Sequence, residues 1–277
     1  MEVPDFVDPR RLLARYGLRP KRGYSQNFLV SRHAVEAIAD AAGISEGARV
    51  LELGAGLGTL TAGLLRAGGD VTALEPDPDM RHVLEQELGG CGLRVLDADA
   101  ARFDYSAHAR DRGGELTVVG NLPYAVTGAI LRTITQHRSA IERAVVMVQR
   151  EVRDRLVASP GSRDYGALTV FTTAGFDVET VLQLNPGAFH PPPKVRSSVV
   201  ALHPRRVPRA EETESFRGVV RAAFQARRKT LRNALAQLGG AERAERALQA
   251  CGIDPAARGE TLAVEQFDVL ARAWASA

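Results

Sequence analysis

Cysteine is nearly absent from this 277-residue chain: Cys91 and Cys251 stand 160 positions apart. Two isolated thiols exclude a disulfide framework and a cysteine-based metal cluster, and they fit a reducing cytoplasm. Long apolar runs are missing too. None reaches the ~18 residues of a membrane-spanning helix. The N-terminus carries Glu2, Asp5 and Asp8 and no apolar core, so a signal peptide is not expected. Internal repeats and low-complexity segments are also lacking. Lysine is scarce, 3 residues against 33 arginines, a bias we attribute to genome composition. What remains is ordinary for a soluble globular protein, 45% hydrophobic and 25% charged. The length suits one large domain, or one medium and one small.

Net charge is only +3, but it is unevenly placed. Residues 205–277 hold 13 Lys+Arg against 9 Asp+Glu, a balance of +4, while the remaining 204 residues hold 23 against 24, a balance of −1. Near the start, Arg10, Arg11, Arg15, Arg19, Lys21 and Arg22 meet a single acid, Asp8. Solvated surface is the ordinary fate of any one such cluster. Two basic ends around a neutral body point instead to an anionic partner, nucleic acid.

Residues 8–23 read as a basic arm with one helical turn near Arg10–Tyr16, followed by Gln26-Asn27-Phe28-Leu29. Ser31 then caps a helix to Ala42, with Val35, Ile38, Ala39 and Ala42 on one face and Gly43 as its stop. The short run Arg49–Leu53 is of strand type and ends in Gly54-Ala55-Gly56-Leu57-Gly58, ahead of a helix from Thr59 to Arg66. Strand, glycine turn and helix open a nucleotide-binding βαβ unit. The spacing is not that of a dinucleotide site, because Thr59 stands where the third glycine belongs. Instead an acid, Glu52, lies inside the strand. A second strand, Val71–Leu74, ends in Glu75, 21 residues after Gly54 and placed to bond two ribose hydroxyls. A third, Leu93–Leu96, leads to Asp99, where a carboxylate could meet an adenine amine. Polar groups at three strand ends on one sheet edge describe an S-adenosylmethionine site.

A fourth strand, Leu116–Val119, delivers Asn121-Leu122-Pro123-Tyr124 to the same edge. Taken alone this turn is equally well a polar loop. Beside a methyl donor it becomes a grip for an amine. The Asn121 amide and the Leu122 carbonyl can each accept one N–H, Pro123 presets the carbonyl's direction, and Tyr124 offers a face for stacking. Later, Ala144–Val148 reads as a fifth strand, Gln149–Ala158 as a helix and Pro160–Tyr165 as a loop able to face RNA. Val178–Leu184 and Ser198–Leu202 read as a last antiparallel strand pair. Pro204–Arg209 is the best boundary, and beyond it the pattern is helical. Read as one helix, Ser215–Leu238 sets Arg217, Arg221, Arg228 and Arg232 at offsets 0, 4, 11 and 15, within roughly 60° of one another. Such a stripe suits phosphate contact better than a solvated face. Shorter helices at 241–251 and 264–275 complete a cap.

The chain resembles the class I methyltransferases, and more narrowly the ribosomal RNA adenine N6-dimethyltransferases. Seven segments in family order carry the resemblance. They are Lys21 with Gln26–Leu29, Val50–Gly58, Asn121–Tyr124, Met147–Val152, Pro160–Gly166, Ala188–Val195 and Arg227–Asn233. The resemblance implies an α/β fold: a Rossmann-like domain with a mostly parallel seven-stranded sheet, plus a small C-terminal all-helical domain. The divisions expected are an arm over 1–30, a catalytic domain over 31–206 and an RNA-binding domain over 207–277. It implies S-adenosylmethionine as cofactor, held by Asn27, Leu29, Gly54, Gly56, Glu75, Asp99 and Asn121, with no metal. It also implies that Tyr124 and Phe189 sandwich the target adenine. RNA contacts are assigned to Lys21, Arg22, Arg221, Arg228, Lys229 and Arg232. The expected activity is dimethylation of two adjacent adenosines in the 3′-terminal hairpin of small-subunit (16S) rRNA, by a cytoplasmic monomer acting on a pre-30S particle without membrane contact. Tyr24-Ser25 leans toward the sister enzymes that methylate large-subunit rRNA and confer macrolide resistance, since the small-subunit branch usually has glycine at position 25. Leu57, Leu122 and the segments at 189–195 and 227–233 weigh against them. A non-enzymatic ribosome assembly factor and a DNA adenine methyltransferase are further alternatives.

Overall fold

The computed structural model describes residues 2–226 and 228–277, except for the Arg22 side chain. It divides into two compact units. One comprises the chain up to Arg153 with Val178–Pro204, and the other comprises Asp154–Asp177 with Arg205–Ala277.

The first unit opens with α1 (Pro9–Arg15), whose Leu12 and Leu13 are buried in its core, so the arm is docked rather than loose. The two-residue strand β1 (Phe28–Leu29) follows. In α2 (Arg32–Ala42) the Ser31 hydroxyl accepts from Ala34 N, and Gly43 closes the helix at φ +61°, as the sequence pattern requires. Strand β2 (Arg49–Leu53), α3 (Thr59–Arg66), β3 (Asp70–Leu74), α4 (Pro78–Leu88) and β4 (Arg94–Leu96) complete the first half. Asp77 caps α4, with Pro78 in its first turn. Then come α5 (Tyr105–Asp111), β5 (Leu116–Asn121), α6 (Thr127–Gln136) and β6 (Ile141–Gln149). Helices α7 (Arg150–Leu156) and α8 (Ala167–Gly175) precede β7 (Phe176–Leu184), β8 (Phe189–His190) and β9 (Ser197–Pro204).

Seven strands form one sheet in the order β4-β3-β2-β5-β6-β9-β7. The pairs from β4 through β6 are parallel, and β9 enters antiparallel against β6, with Val146 opposite Val200. The last strand thus slots between β6 and β7, where the sequence had suggested only a terminal pair. Strand order reverses between β2 and β5. Their carboxyl ends therefore leave a crevice, the usual ligand position in open α/β sheets. A separate ribbon joins β1 to β8 antiparallel, with Leu29 opposite Phe189.

The second unit contains α9 (Glu214–Gln225), α10 (Leu231–Gly239), α11 (Ala241–Ala250) and α12 (Val264–Ser276). It also takes in residues 154–177, which differs from an uninterrupted catalytic domain over 31–206. The reason lies in packing: Tyr165, Val170 and Ala174 share one apolar core with Phe216, Leu231, Phe267 and Trp274. Residues 160–164 of the loop are exposed, while Tyr165 turns into that core. Tyr165 is buried, donates to Leu262 O at 2.8 Å and meets Phe224 edge-on at 6.0 Å. A single helix over 215–238 is not formed. Thr230 takes an extended conformation and caps α10 through Asn233 N, and a turn closes from Lys229 N to Ala226 O. A cap within an otherwise helical period restarts the helix.

Candidate active site

The crevice beyond β2, β3 and β5 is a cleft open at its mouth and walled on one side by the arm residues Tyr24–Leu29. Its floor is the glycine turn. Gly54, Gly56 and Gly58 hold φ of +71°, +57° and +81°, a region that L side chains avoid. At Gly58 a Cβ would also stand 2.7 Å from Leu88. No side chain caps α3, so its first-turn N–H groups lack a side-chain acceptor. Glu75 closes the cleft at the end of β3. Its Oε2 accepts Gly56 N at 2.7 Å and its Oε1 accepts Asp77 N at 2.9 Å. Burial raises its pKa, against the two backbone donors that favour the anion. Each oxygen keeps a second lone pair for a ribose hydroxyl.

The opposite wall is the turn after β5. Leu122 N donates to Met147 O at 3.1 Å, while Val126 N and Thr127 Oγ1 donate to Pro123 O at 3.1 and 3.0 Å. The turn is therefore fixed on both sides. No protein donor among the described residues meets the Leu122 carbonyl. Asn121 Nδ2 donates to Asn27 O at 2.9 Å, which leaves its Oδ1 as an acceptor. Tyr124 Oη shares a 2.7 Å hydrogen bond with Ser197 Oγ, a fully buried hydroxyl on β9. Burial pushes the phenol's pKa up, so Tyr124 is neutral.

Asn27, Leu29, Gly54, Gly56, Glu75, Asn121, Leu122, Pro123 and Tyr124 thus line one cleft. Asp99 and Phe189 do not. The Asp99 carboxylate is exposed beyond β4, where it accepts Ala101 N and stands 3.9 Å from Arg102. Phe189 is 3% exposed within the core, because its pairing with Leu29 turns the ring inward. Lys21 is engaged within the protein. Its ammonium binds Asp77 at 2.7 Å and Asp79 at 2.6 Å, and these carboxylates raise its pKa. Gln26 Nε2 reaches the other Asp77 oxygen at 2.8 Å. The pair straps the arm to α4. Arg10 and Arg15 are likewise bound to Asp8 and Glu87, and the Arg22 side chain lies outside the described residues.

Sequence reasoning missed Asp77 and Ser197 as supports of this site, and noted Glu52 in the glycine pattern without giving it a role. Asp77 had a readable signal, an acid directly before Pro78 at a helix start. Ser197 had none, being one small residue in a buried strand.

In the helical unit, Arg221 is exposed on α9, Arg228 and Lys229 are exposed in the link, and Arg232 is exposed on α10 at 3.5 Å from Glu245. Arg217 is drawn to Glu212 at 3.6 Å, and Arg227 lies outside the described residues. The break at 226–230 removes the helical geometry on which the four-arginine stripe was counted.

The cleft fits a nucleoside that carries an amino-acid tail. An acid stands at the end of β3, and the glycine turn admits close approach of a ligand to the backbone. No helix among the described residues is long and apolar enough to cross a membrane. Residues 17–275 match the family model described as "Ribosomal RNA adenine dimethylase". A protein of Anaeromyxobacter sp. (strain K), named "Ribosomal RNA small subunit methyltransferase A", is 46% identical over 278 residues, covering 96% of this chain and 98% of that protein. A dimethyladenosine transferase from Plasmodium falciparum superposes with a TM-score of 0.74 at 24% identity, over 88% of this chain and 95% of its own. The 23S rRNA methyltransferase ErmE does so at 0.65 and 28% identity, over 90% and 100%. The chain is accordingly an S-adenosylmethionine-dependent methyltransferase. With a match that runs almost from end to end, the chain belongs to the ribosomal RNA adenine dimethylase family.

Proposed function

We propose that this protein transfers methyl groups to N6 of two adjacent adenosines in the 3′-terminal hairpin loop of small-subunit rRNA, acting as a cytoplasmic monomer on a pre-30S particle. The observation that carries the reading is the turn after β5, where the Asn121 amide oxygen and the unpaired Leu122 carbonyl border one cleft with Glu75. The adenine N6 lone pair is delocalised into the ring and is a poor nucleophile. Two acceptors on its N–H bonds favour a pyramidal nitrogen with the lone pair directed at the donor. S-adenosylmethionine supplies a methyl group on a positively charged sulfur. Asn121 and Leu122 position the amine and stabilise the charge that develops on it, so a strong base is not needed. Tyr124 stacks on the base and replaces part of the stacking lost when it leaves the RNA. One N–H survives the first transfer, which permits a second at the same atom. Arg221, Arg228, Lys229 and Arg232 contact phosphates from the helical domain, and Phe189 turns onto the base once it is bound.

A second reading, methylation of large-subunit rRNA, is favoured by the likeness to ErmE at full coverage of that chain and by Tyr24-Ser25. Incubation with labelled S-adenosylmethionine and each undermethylated ribosomal subunit decides between them. Dimethyladenosine in small-subunit RNA, located by mass spectrometry, is expected. Label in large-subunit RNA alone refutes the proposal, and no label in either favours a non-enzymatic assembly factor.

A further inference from the structure

Glu52 is a carboxyl group that the catalytic scheme does not use. It lies in β2, one residue before the strand's end, is 1% exposed, and lines the cofactor cleft. Its Oε2 has no hydrogen-bond partner among the described residues. The nearby Thr61 hydroxyl on α3 favours the anion slightly, yet Thr61 Oγ1 is also unpartnered at hydrogen-bond geometry. Glu75 at the end of β3 acts on Glu52 as a like charge. From β5 the cleft receives the neutral amide of Asn121, and from the arm and the turn the neutral Tyr24 and Tyr124.

The two acids of this cleft are therefore treated differently. Glu75 has two backbone N–H donors for its charge, whereas Glu52 has none. Neighbouring carboxyls in unequal surroundings separate into one ionised and one neutral group. Burial is the main cause here, and it pushes the Glu52 carboxyl up to about 8. A buried acid without a counter-charge keeps its proton until a cation arrives.

We propose that Glu52 reads the charge of the ligand in this cleft: a cationic ligand enters with loss of the Glu52 proton to solvent, and a neutral one does not. The O–H bond of the carboxyl breaks, its electron pair stays on oxygen, and the proton passes to buffer. The donor's sulfonium is such a cation. The thioether left after methyl transfer lacks that charge while keeping the rest of the molecule. Glu52 would thus favour donor over by-product and help the spent molecule leave. The inference rests on S-adenosylmethionine being the ligand.

Calorimetric titration of the full chain in buffers of different ionisation enthalpy tests it without catalysis. At pH 7 an acid titrating near 8 is about nine-tenths protonated. Release of close to one proton per donor bound, and close to none per S-adenosylhomocysteine, is expected. Donor affinity should rise up to about tenfold per pH unit from 6 to 8 and then level off, while by-product affinity stays flat. Glu52→Gln should abolish the proton release and narrow the preference for donor. Equal release with both ligands, or release unchanged in Glu52→Gln, overturns the proposal. Should that variant fail to fold, difference infrared spectra of the unaltered protein serve instead. The band of a protonated carboxyl should vanish with donor and persist with by-product, and its persistence with both overturns the idea. Absence of binding by either ligand would refute the cofactor assignment itself.

Discussion

Replacing Asp77 by alanine should loosen the wall of the cofactor cleft from a position outside it. The carboxylate is fully buried and serves three donors: Lys21 Nζ at 2.7 Å, Gln26 Nε2 at 2.8 Å and Asp79 N at 3.0 Å. Loss of the α4 cap costs about 1 kcal/mol. Loss of a charge-assisted bond to Gln26 costs about 1.5 kcal/mol. Lys21 is solvent-screened and retains Asp79 at 2.6 Å, so it adds nothing to the sum. A destabilisation of about 2–3 kcal/mol is expected from urea unfolding. Residues 24–29 form one wall of the cleft, but β1 still pairs with β8 and Asn27 O still meets Asn121. Only part of the loss therefore reaches the ligand, and about 1.4 kcal/mol would weaken donor binding tenfold. Asp77→Asn keeps one oxygen for the cap but sets an amide NH2 against the Gln26 Nε2 donor, so it should retain the cap, lose the Gln26 contact and cost about 1.5 kcal/mol. A change below about 0.5 kcal/mol for alanine with unaltered donor affinity refutes the strap. Equal damage from asparagine would remove the cap's share of the loss and leave it to the strap.

Four further outcomes follow from the same geometry. Asn121→Ala should lower kcat about a hundredfold or more, with RNA affinity in filter binding nearly unchanged. Ser197→Ala frees the Tyr124 hydroxyl, and a loss of about 1 kcal/mol should appear as a several-fold higher KM for RNA with kcat largely kept; a pure fall in kcat would contradict it. Removing charge at Arg221 and Arg228 together should reduce the slope of log affinity against log salt by about 1 to 2, and an unchanged slope would exclude phosphate contact there. Because the Glu52 carboxyl titrates near 8 in the fold and in the ordinary acid range when unfolded, the folded state binds the extra proton between those values. Stability must then fall as pH rises from about 4.5 to 8 and flatten above, by on the order of 3 kcal/mol up to pH 7. Urea unfolding of Glu52→Gln should lack this decline, and parallel curves for the two proteins would refute it.

Much of the cleft was legible because its parts are local. The glycine turn, Glu75 and Asn121–Tyr124 each sit at the end of an apolar run, and a parallel sheet brings such ends to one edge whatever the loops do between them. The residues that lie away from the cleft share another cause. Asp99 also follows a strand, but β4 lies at the sheet's edge, where a carboxylate can turn to water. Phe189 is set by a two-residue ribbon with β1, too short to leave any periodic signal. Residues 154–177 change unit because α8 is apolar on the face that meets Phe216 and its neighbours, and linear position does not reveal which core a face will find. The broken stripe was the avoidable error: Thr230 three residues before Asn233 marks a helix start, and periodicity alone overrode it.

The contact between Asn27 and Asn121 ties chemical selectivity to the arm. An asparagine amide presents either an oxygen or an N–H to a ligand, and nothing in its own shape decides which. Asn27 offers Asn121 a carbonyl oxygen at 2.9 Å, which accepts and cannot donate. The Nδ2 group is held there, and Oδ1 is left as an acceptor. Leu122 contributes a second acceptor by virtue of being backbone. A base edge with a carbonyl, such as O6 of guanine or O4 of uracil, would place acceptor against acceptor and leave buried groups unpaired, a penalty of about 1–3 kcal/mol for each. An exocyclic amine satisfies both. In the proposed function, the arm segment that walls the donor cleft therefore also sets the acceptors that select an amine.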